Sequence, residues 1–298
     1  ITAGLRYDHE SKDQSVKSEY QKDPDPDPIF NIIPDTSAKA RFEAFTPKLS
    51  IAHNFSANQQ LYVTYNRGYR AGGFTPVGSD PSQPPLYAYK PEYSNNFELG
   101  YKNQFFGNHV RLHLSAFYST VNDAQVPTLV LPDAITVTRN AGKLESKGIE
   151  AEASFVWRRG VETSWAFGYT DAKYKTLKVS AGGAEVDLAG NSQIYTPKVT
   201  SLVTTQYTVF FNERRQSGVL FRGEWQHLGE QYFDLGNTIR QSPYSLFHAR
   251  VGITSRHLDV MGWARNIGNK KYIAYAYDFG AVHLGNPSTL GVTVMWKL

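Results

Sequence analysis

Residues able to do chemistry are scattered along this sequence rather than gathered. It holds eight histidines and no cysteine, which removes disulfide frameworks and thiolate metal sites. One histidine pair, His109 and His113, has the spacing that on a helix would bring two imidazoles to one metal. On a strand the same spacing separates them by roughly 13 Å, at about 3.4 Å per residue, too far for a single ion. The residues around them alternate as a strand does, so no metal site is assigned. Asp23-Pro24-Asp25-Pro26-Asp27-Pro28 offers three carboxylates to a cation, but alternate prolines hold them apart along a solvated, extended loop. Gly72-Gly73 near Arg70 is not followed by a helical pattern, as phosphate binding at a helix N-terminus would need. No catalytic constellation stands out. The chain is read as non-enzymatic, with no cofactor.

Aromatic side chains are more suggestive. There are 19 Tyr, 17 Phe and 5 Trp, and several crowd polar connections. Tyr87 and Tyr89 share one such connection, and Tyr232 and Phe233 top another segment. Tyr275, Tyr277, Phe279 and His283 crowd the last connection. Aromatic loop tips can stack on catecholates, sugar rings or porphyrins. The same residues would also suit an interfacial girdle. Arg70 and Arg139 could attract an anionic chelate, or pair inside the fold with Glu98 or its neighbours.

The elements that must position these residues are strands. In Ser288 to Leu298, Leu290, Val292, Val294, Trp296 and Leu298 share one parity, and Gly291, Thr293, Met295 and Lys297 the other. That period of two is a strand with one apolar face. About twelve such segments follow one another. The first, Ile1 to Ser11, leads into a long polar loop through Ala40, and the second is Phe45 to Phe55. Later ones include Leu61 to Gly73, Tyr93 to Phe105, His109 to Val121, Gly148 to Trp157, Pro197 to Val209 (weaker in phase), Tyr244 to Arg256 and Leu258 to Tyr275. Long and short connections alternate. Soluble sandwiches need not segregate loops this way, whereas outer-membrane barrels do.

Glu98, Lys102, Arg111, Glu150, Glu152, Glu162, Arg222 and Glu224 all fall on the polar parity. A β-sandwich would place that face in water and the apolar face in a shared core. A membrane barrel would place the apolar face in lipid and the charges in its lumen. Segregated connections and strands of roughly 10 to 14 residues favour the antiparallel transmembrane barrel. No apolar run approaches the roughly 20 residues of a membrane helix. The net charge of +4, from 31 basic and 27 acidic residues, shows no clustered basic stripe, so no nucleic-acid partner is read. A strand already under way at Ile1 is expected to continue a longer polypeptide. The competing expectation is a self-closed twelve-stranded barrel, such as a translocator or an outer-membrane lipase.

Particular stretches resemble one family. FTPKLSIAHNFSANQQLYVTYNRGYRAGGF (Phe45 to Phe74), KPEYSNNFELGYK (Lys90 to Lys102) and the N-A-G…S-K-G-I-E-A-E run (Asn140 to Glu152) are similar to barrel segments of TonB-dependent outer-membrane receptors. ARNIGNKKY (Ala264 to Tyr272) and GNPSTLGVTVMWKL resemble their late motif and closing strand, and all five occur in family order. Asn269 stands where the family usually has Asp, Ser288 where Arg often follows Pro, and Leu298 where an aromatic usually ends the chain.

The resemblance implies the C-terminal part of a 22-stranded barrel, with residues 1–298 all barrel. The N-terminal plug, the energy-coupling box and about ten strands would lie outside this sequence. It further implies a Gram-negative outer-membrane location and contact with outer-membrane lipid. The implied function is active uptake of a small iron chelate, most often a ferric siderophore, driven by the TonB complex through the plug. Haem, cobalamin or oligosaccharide uptake, and a passive porin or secretion pore, stay open as alternatives.

Overall fold

A computed structural model describes residues 1–24, 27, 29–75, 85–130, 135–140, 142–157, 160–181, 184–211, 217–277 and 280–297. Among them there is no helix. In chain order the strands are β1 (Thr2–Tyr20), β2 (Phe30–Ser56), β3 (Gln59–Arg70), β4 (Gly73–Thr75), β5 (Tyr87–Tyr89), β6 (Glu92–Phe105), β7 (Val110–Asn122), β8 (Gln125–Val130), β9 (Ile135–Asn140), β10 (Lys143–Val156) and β11 (Val161–Thr176). The second half continues with β12 (Lys178–Ala181), β13 (Ala184–Asp187), β14 (Val199–Phe210), β15 (Gly218–Leu228), β16 (Gln231–Tyr232), β17 (Arg240–Gln241), β18 (Tyr244–Thr254), β19 (Leu258–Arg265), β20 (Ile273–Ala276), β21 (Val282–Leu284) and β22 (Thr289–Trp296).

Twelve of these form one antiparallel sheet in the order β1-β2-β3-β6-β7-β10-β11-β14-β15-β18-β19-β22. Each wall strand pairs with its predecessor, as hairpin connections dictate. The other ten strands make five two-stranded hairpins: β4–β5, β8–β9, β12–β13, β16–β17 and β20–β21. All five lie in the long connections, at one end of the wall. The ends of β2, β6, β10, β14 and β18, where the short connections begin, lie at the other.

Register fixes which side chains share a face. Tyr101, Leu114, Ala151 and Phe167 stand side by side across β6, β7, β10 and β11. Lys102, His113, Glu152 and Ala166 form the neighbouring row on the opposite face. The first face carries a continuous exposed apolar band that includes Leu49, Val63, Leu99, Leu114, Ile149, Phe221, Val251, Val260, Val292 and Val294. Aromatics border it on the hairpin side (Tyr65, Phe97, Tyr118, Tyr169) and on the turn side (Phe55, Phe105, Phe155, Trp157). A band between two aromatic belts is the outer surface of a membrane barrel.

Three expectations are corrected. Residues 12–40 are not mainly loop: the β1–β2 ladder runs unbroken in pairing from Thr2↔Ser50 past Asp13↔Lys39 to Tyr20↔Phe30, with bulges near Ser18. Both faces of that extension are mainly polar, with Val16, Tyr20, Phe30 and Ile33 in no regular alternation, so no apolar parity marked it, yet a backbone ladder needs none. β3 pairs with β2 only over residues 48–56, so beyond there β1 and β2 form a free two-stranded ribbon. Second, the segment Leu258 to Tyr275 breaks at Arg265. Asn266 and Asn269 take positive φ (48° and 46°) in the turn that follows, a conformation asparagine tolerates. Third, the long connections are built of hairpins rather than irregular loop. Asp25, Pro26, Pro28, Phe279 and Leu298 lie outside the described residues, and with them parts of the proline-rich, last-loop and chain-end readings.

Candidate functional site

Two regions are built with enough polar or aromatic density to act: the charged face of the wall, and the hairpin rim.

On the charged face, Tyr62 of β3 is the hub. Its hydroxyl donates to Glu98 in a short hydrogen bond and lies 2.9 Å from His113 Nε2, while Lys102 Nζ sits 5.3 Å from its ring centre. Gly100 makes this possible, because a Cβ there would stand 2.1 Å from the Tyr62 ring. Neighbouring rows are also satisfied: Asn96 donates to Asn66 Oδ1 at 3.0 Å, and Ser119 donates to Asn96 at 2.6 Å. Arg222 Nε meets Glu224 at 2.6 Å, with Arg250 3.9 Å from the same carboxylate. Glu98 is thus engaged by Tyr62 and not by Arg70. Arg70 lies across the ladder from Glu92, is exposed, and makes no ion pair among the described residues. The side chain of Arg139 is outside the described ones. His113 faces the Tyr62 cluster while His109 Nδ1 meets the Val156 carbonyl at 2.9 Å, so the two rings have separate partners.

The rim holds the aromatic candidates in two groups. Arg70 tops β3, and Tyr87 and Tyr89 lie on β5 beside it. Tyr89 folds over Gly73, where a Cβ would stand 2.4 Å from the Tyr89 hydroxyl. Asn140 ties this group down: Lys90 N donates to its Oδ1 at 2.7 Å, and its Nδ2 donates to the carbonyls of Lys90 and Asp123 at 2.9 and 2.8 Å. Gln125 adds donations to Ala71 O and Lys90 O at 2.9 and 3.1 Å.

The second group forms around Tyr195, a residue the sequence reading did not single out. Its ring stacks on Tyr275 (5.4 Å, 23°) and meets Phe233 edge-on (5.3 Å, 66°); Tyr275 meets Tyr277 edge-on at 4.9 Å. Tyr195 Oη donates to Ala276 O at 2.8 Å, and its backbone N donates to Tyr232 O at 2.8 Å. His283 stands across the β20–β21 ladder from Tyr275. Three connections that are far apart in sequence therefore converge. Asn237 locks two of them, accepting from Ser192 N at 2.7 Å, and Gln241 Oε1 accepts from Ile273 N at 2.7 Å to lock the third. Phe233 is 3% exposed and acts as a support, whereas Tyr195, Tyr275, Tyr277 and His283 are exposed. Partial burial of the ring against its neighbours, reinforced by Tyr275, still pushes the Tyr195 phenol up to about 12. The Glu230 carboxylate that accepts from Tyr232 Oη at 3.0 Å raises that phenol too. The only local signal for Tyr195 was its place before Thr196-Pro197, where it adopts φ 55°.

An antiparallel wall with an apolar outer band, a charged opposite face and one rim of hairpins defines a transmembrane β-barrel of the outer-membrane type. The family model described as TonB dependent receptor-like, beta-barrel, matches residues 1–267, and the chain belongs to that family, whose members reside in the Gram-negative outer membrane. The ferrioxamine receptor of Yersinia enterocolitica is 25% identical over 260 residues, covering 83% of this chain and 32% of that protein. The pesticin receptor of Yersinia pestis is 21% identical over 284 residues, covering 94% and 38%. Among solved structures, the ferric yersiniabactin uptake receptor FyuA of Yersinia pestis superposes with a TM-score of 0.79 at 19% identity, over 98% of this chain and 42% of that one. The siderophore receptor PiuA of Acinetobacter baumannii gives 0.75 at 20% identity, over 98% and 40%. The chain thus spans about two fifths or less of the length of these relatives.

Proposed function

We propose that these twelve strands are the C-terminal part of a 22-stranded, plug-bearing barrel that imports a ferric siderophore, energised by the TonB complex through its plug. One observation carries the choice of ligand class: the rim that faces the medium gathers exposed aromatic rings on a rigid, hydrogen-bonded base. Planar aromatic faces and a cationic Arg70 suit a compact, anionic iron chelate with unsaturated arms. The ferrioxamine and ferric yersiniabactin receptors among its relatives support the same class. Ligand contact is assigned to Tyr87, Tyr89, Tyr232, Tyr275, Tyr277 and His283, with Phe233 beneath them and Arg70 supplying charge; Phe279 belongs to the same proposal from sequence alone.

The test is growth of a gene-deleted strain on single defined iron sources, paired with binding of each iron chelate to the purified intact receptor. Loss of growth on one siderophore, and saturable binding of that siderophore, is the expected result. A defect confined to haem, cobalamin or an oligosaccharide would replace the ligand class. Diffusion-limited, energy-independent uptake would replace the transporter with a passive pore.

A further inference from the structure

The inner face of the wall is not uniform in charge. On β6, β7 and β10 the inward parity carries four carboxylates, Glu92, Glu98, Glu150 and Glu152, against Lys102 and Arg111. On β15, β18 and β19 the balance reverses. Arg222 stands across the ladder from Arg250, and Arg250 from Trp263. Arg265 shares the face of Trp263, with its guanidinium carbon 5.0 Å from the indole centre. Among the described residues one carboxylate, Glu224, meets these arginines: it takes Arg222 at 2.6 Å and lies 3.9 Å from Arg250. Asp259, closer to the turns, is taken by Lys297 at 2.7 Å. Glu162 is two strand spacings from Arg222, roughly 10 Å. Arg222 therefore neutralises Glu224, and the charges of Arg250 and Arg265 are left over.

The surroundings of these two arginines are built. The indole of Trp263 donates from Nε1 to Thr293 Oγ1 at 3.2 Å, and its ring leans over Gly291, where a Cβ would collide with it. The Asn266 backbone N–H donates to His248 Nδ1 at 3.1 Å, which puts the proton of a neutral His248 on Nε2. Asn266 is itself buried, with its side chain bonded to Lys270 and to the Asn286 carbonyl. Toward the rim, Leu246 and Tyr244 of the same face are buried, and Tyr244 stacks on Tyr272 (4.5 Å, 17°). The exposed arginines begin where that cover ends. Six residues separate Tyr244 from Arg250, which at about 3.4 Å each and a tilt near 40° is roughly 15 Å of depth. β15 and β19 lead into β16 and β20, which carry Tyr232 and Tyr275 of the rim's aromatic group.

We propose that Arg250 and Arg265, on either side of Trp263, form an inner binding station for iron chelates that carry free carboxylates. The planar guanidinium fork matches a carboxylate with two parallel hydrogen bonds. Two arginines at separate places around one indole select a ligand with more than one carboxylate, whose carbon skeleton lies on the Trp263 face. A neutral trihydroxamate chelate gains nothing from this pair. The acidic inner face of β6, β7 and β10 repels the same ligand, so passage follows the β15–β18–β19 side. The inference rests on the proposed import of a ferric siderophore and narrows it to one chemical class.

Equilibrium binding to the purified intact receptor tests this with two probes: a ferric citrate-based chelate with free carboxylates, and a ferric trihydroxamate with none. The carboxylate probe should bind saturably and quench a tryptophan signal that Trp263→Phe lacks. Arg250→Gln and Arg265→Gln should each weaken it about tenfold, the scale of one charge-assisted hydrogen bond. Arg111→Gln, on the acidic side, should change nothing. On the wild type alone, tricarballylate, a tricarboxylate without citrate's hydroxyl, should displace the probe competitively. No saturable binding of the carboxylate probe, unchanged affinity in both arginine variants, or no displacement by tricarballylate would each overturn the inference. Unchanged affinity with a lowered unfolding midpoint would assign the arginines to holding the plug instead. Binding of the trihydroxamate alone would leave siderophore import standing and remove only this inference, whereas binding of haem alone would remove both. The tricarballylate arm needs only the wild type, so it decides the matter even if the variants fail to assemble.

Discussion

A cation placed at the centre of the outward face probes the wall's two-sided construction directly. Leu114 lies in β7 four residues from both Val110 and Tyr118, with Tyr101 and Ala151 across its ladders. Four residues are about 14 Å of strand, and a tilt near 40° leaves roughly 10 Å of depth to either border of the band. A guanidinium at that depth must snorkel most of the way to a headgroup. Leu114→Arg should therefore cost about 2–4 kcal/mol, a factor of roughly 30 to 1,000 in the unfolding equilibrium. Leu114→Ala separates the charge from lost contact, and Thr293→Arg, on the exposed charged face of β22, controls for introducing arginine at all. The assay is reversible guanidinium unfolding of the intact receptor in lipid, followed by tryptophan fluorescence. Nitroxides at Leu114 and Val294 provide a second readout: lipid-soluble oxygen should reach them and a polar nickel chelate should not. Equal costs for Leu114→Arg and Thr293→Arg, or equal access of the nickel chelate to both faces, would refute the two-sided wall.

Other consequences follow from close contacts. Gly100→Val forces a side chain into the Tyr62 ring and should destabilise by about 1–3 kcal/mol in the same unfolding assay. Tyr62→Phe strips a donor from Glu98 and should cost about 1–3 kcal/mol; no change would remove Tyr62 from its role as hub. Tyr195→Ala should raise amide exchange in β16, β20 and β21 and weaken chelate binding, while exchange in the wall strands stays as it was. The Tyr195 phenol, raised to about 12 in the folded protein from its ordinary 10.0, should titrate late. The native state holds that proton more tightly, so the stabilisation is complete below about pH 10 and falls as pH rises toward 12. Absorbance titration of Tyr195→Phe should then lack one late-titrating phenol, and an unchanged curve would place Tyr195 among ordinary exposed tyrosines.

The wall was legible because its parity is enforced by two solvents. Phe97, Leu99 and Tyr101 alternate with Asn96, Glu98 and Lys102 since lipid lies on one side and charged groups on the other, and the register keeps that division across the sheet. Where both sides are wet, that signal vanishes. Residues 12–20 and 30–39 pair through the backbone ladder, with surface ion pairs such as Asp13–Lys39 laid over it, so the sequence carries no apolar stripe to read. The rim strands, two to six residues long, are too short for a period to show. The aromatic candidates were visible by type, but their convergence was not. Tyr195, Phe233 and Tyr275 meet through Asn237 and Gln241, hydrogen-bonding residues whose partners lie 45 and 32 positions away. The Arg70–Glu98 pair is absent for a similar reason: Glu98 is claimed by Tyr62, on the neighbouring strand β3, in a contact that single-strand parity does not display.

The ribbon formed by β1 and β2 has a consequence for how this surface can change over generations. Past Thr46 it is held by main-chain pairing with no third strand beside it, and among its described residues only Ile33 and Ala44 are buried. Phe42 packs against Gly72, but the exposed side chains further along the ribbon ride on the ladder. Substitutions at those exposed positions can accumulate along roughly 48 Å of ribbon, at about 3.4 Å per residue, without disturbing the wall that carries it. The ribbon is thus a part of the molecule whose chemistry is little constrained by folding. A cell under attack through its outer surface could renew that face while the barrel beneath it stays the same.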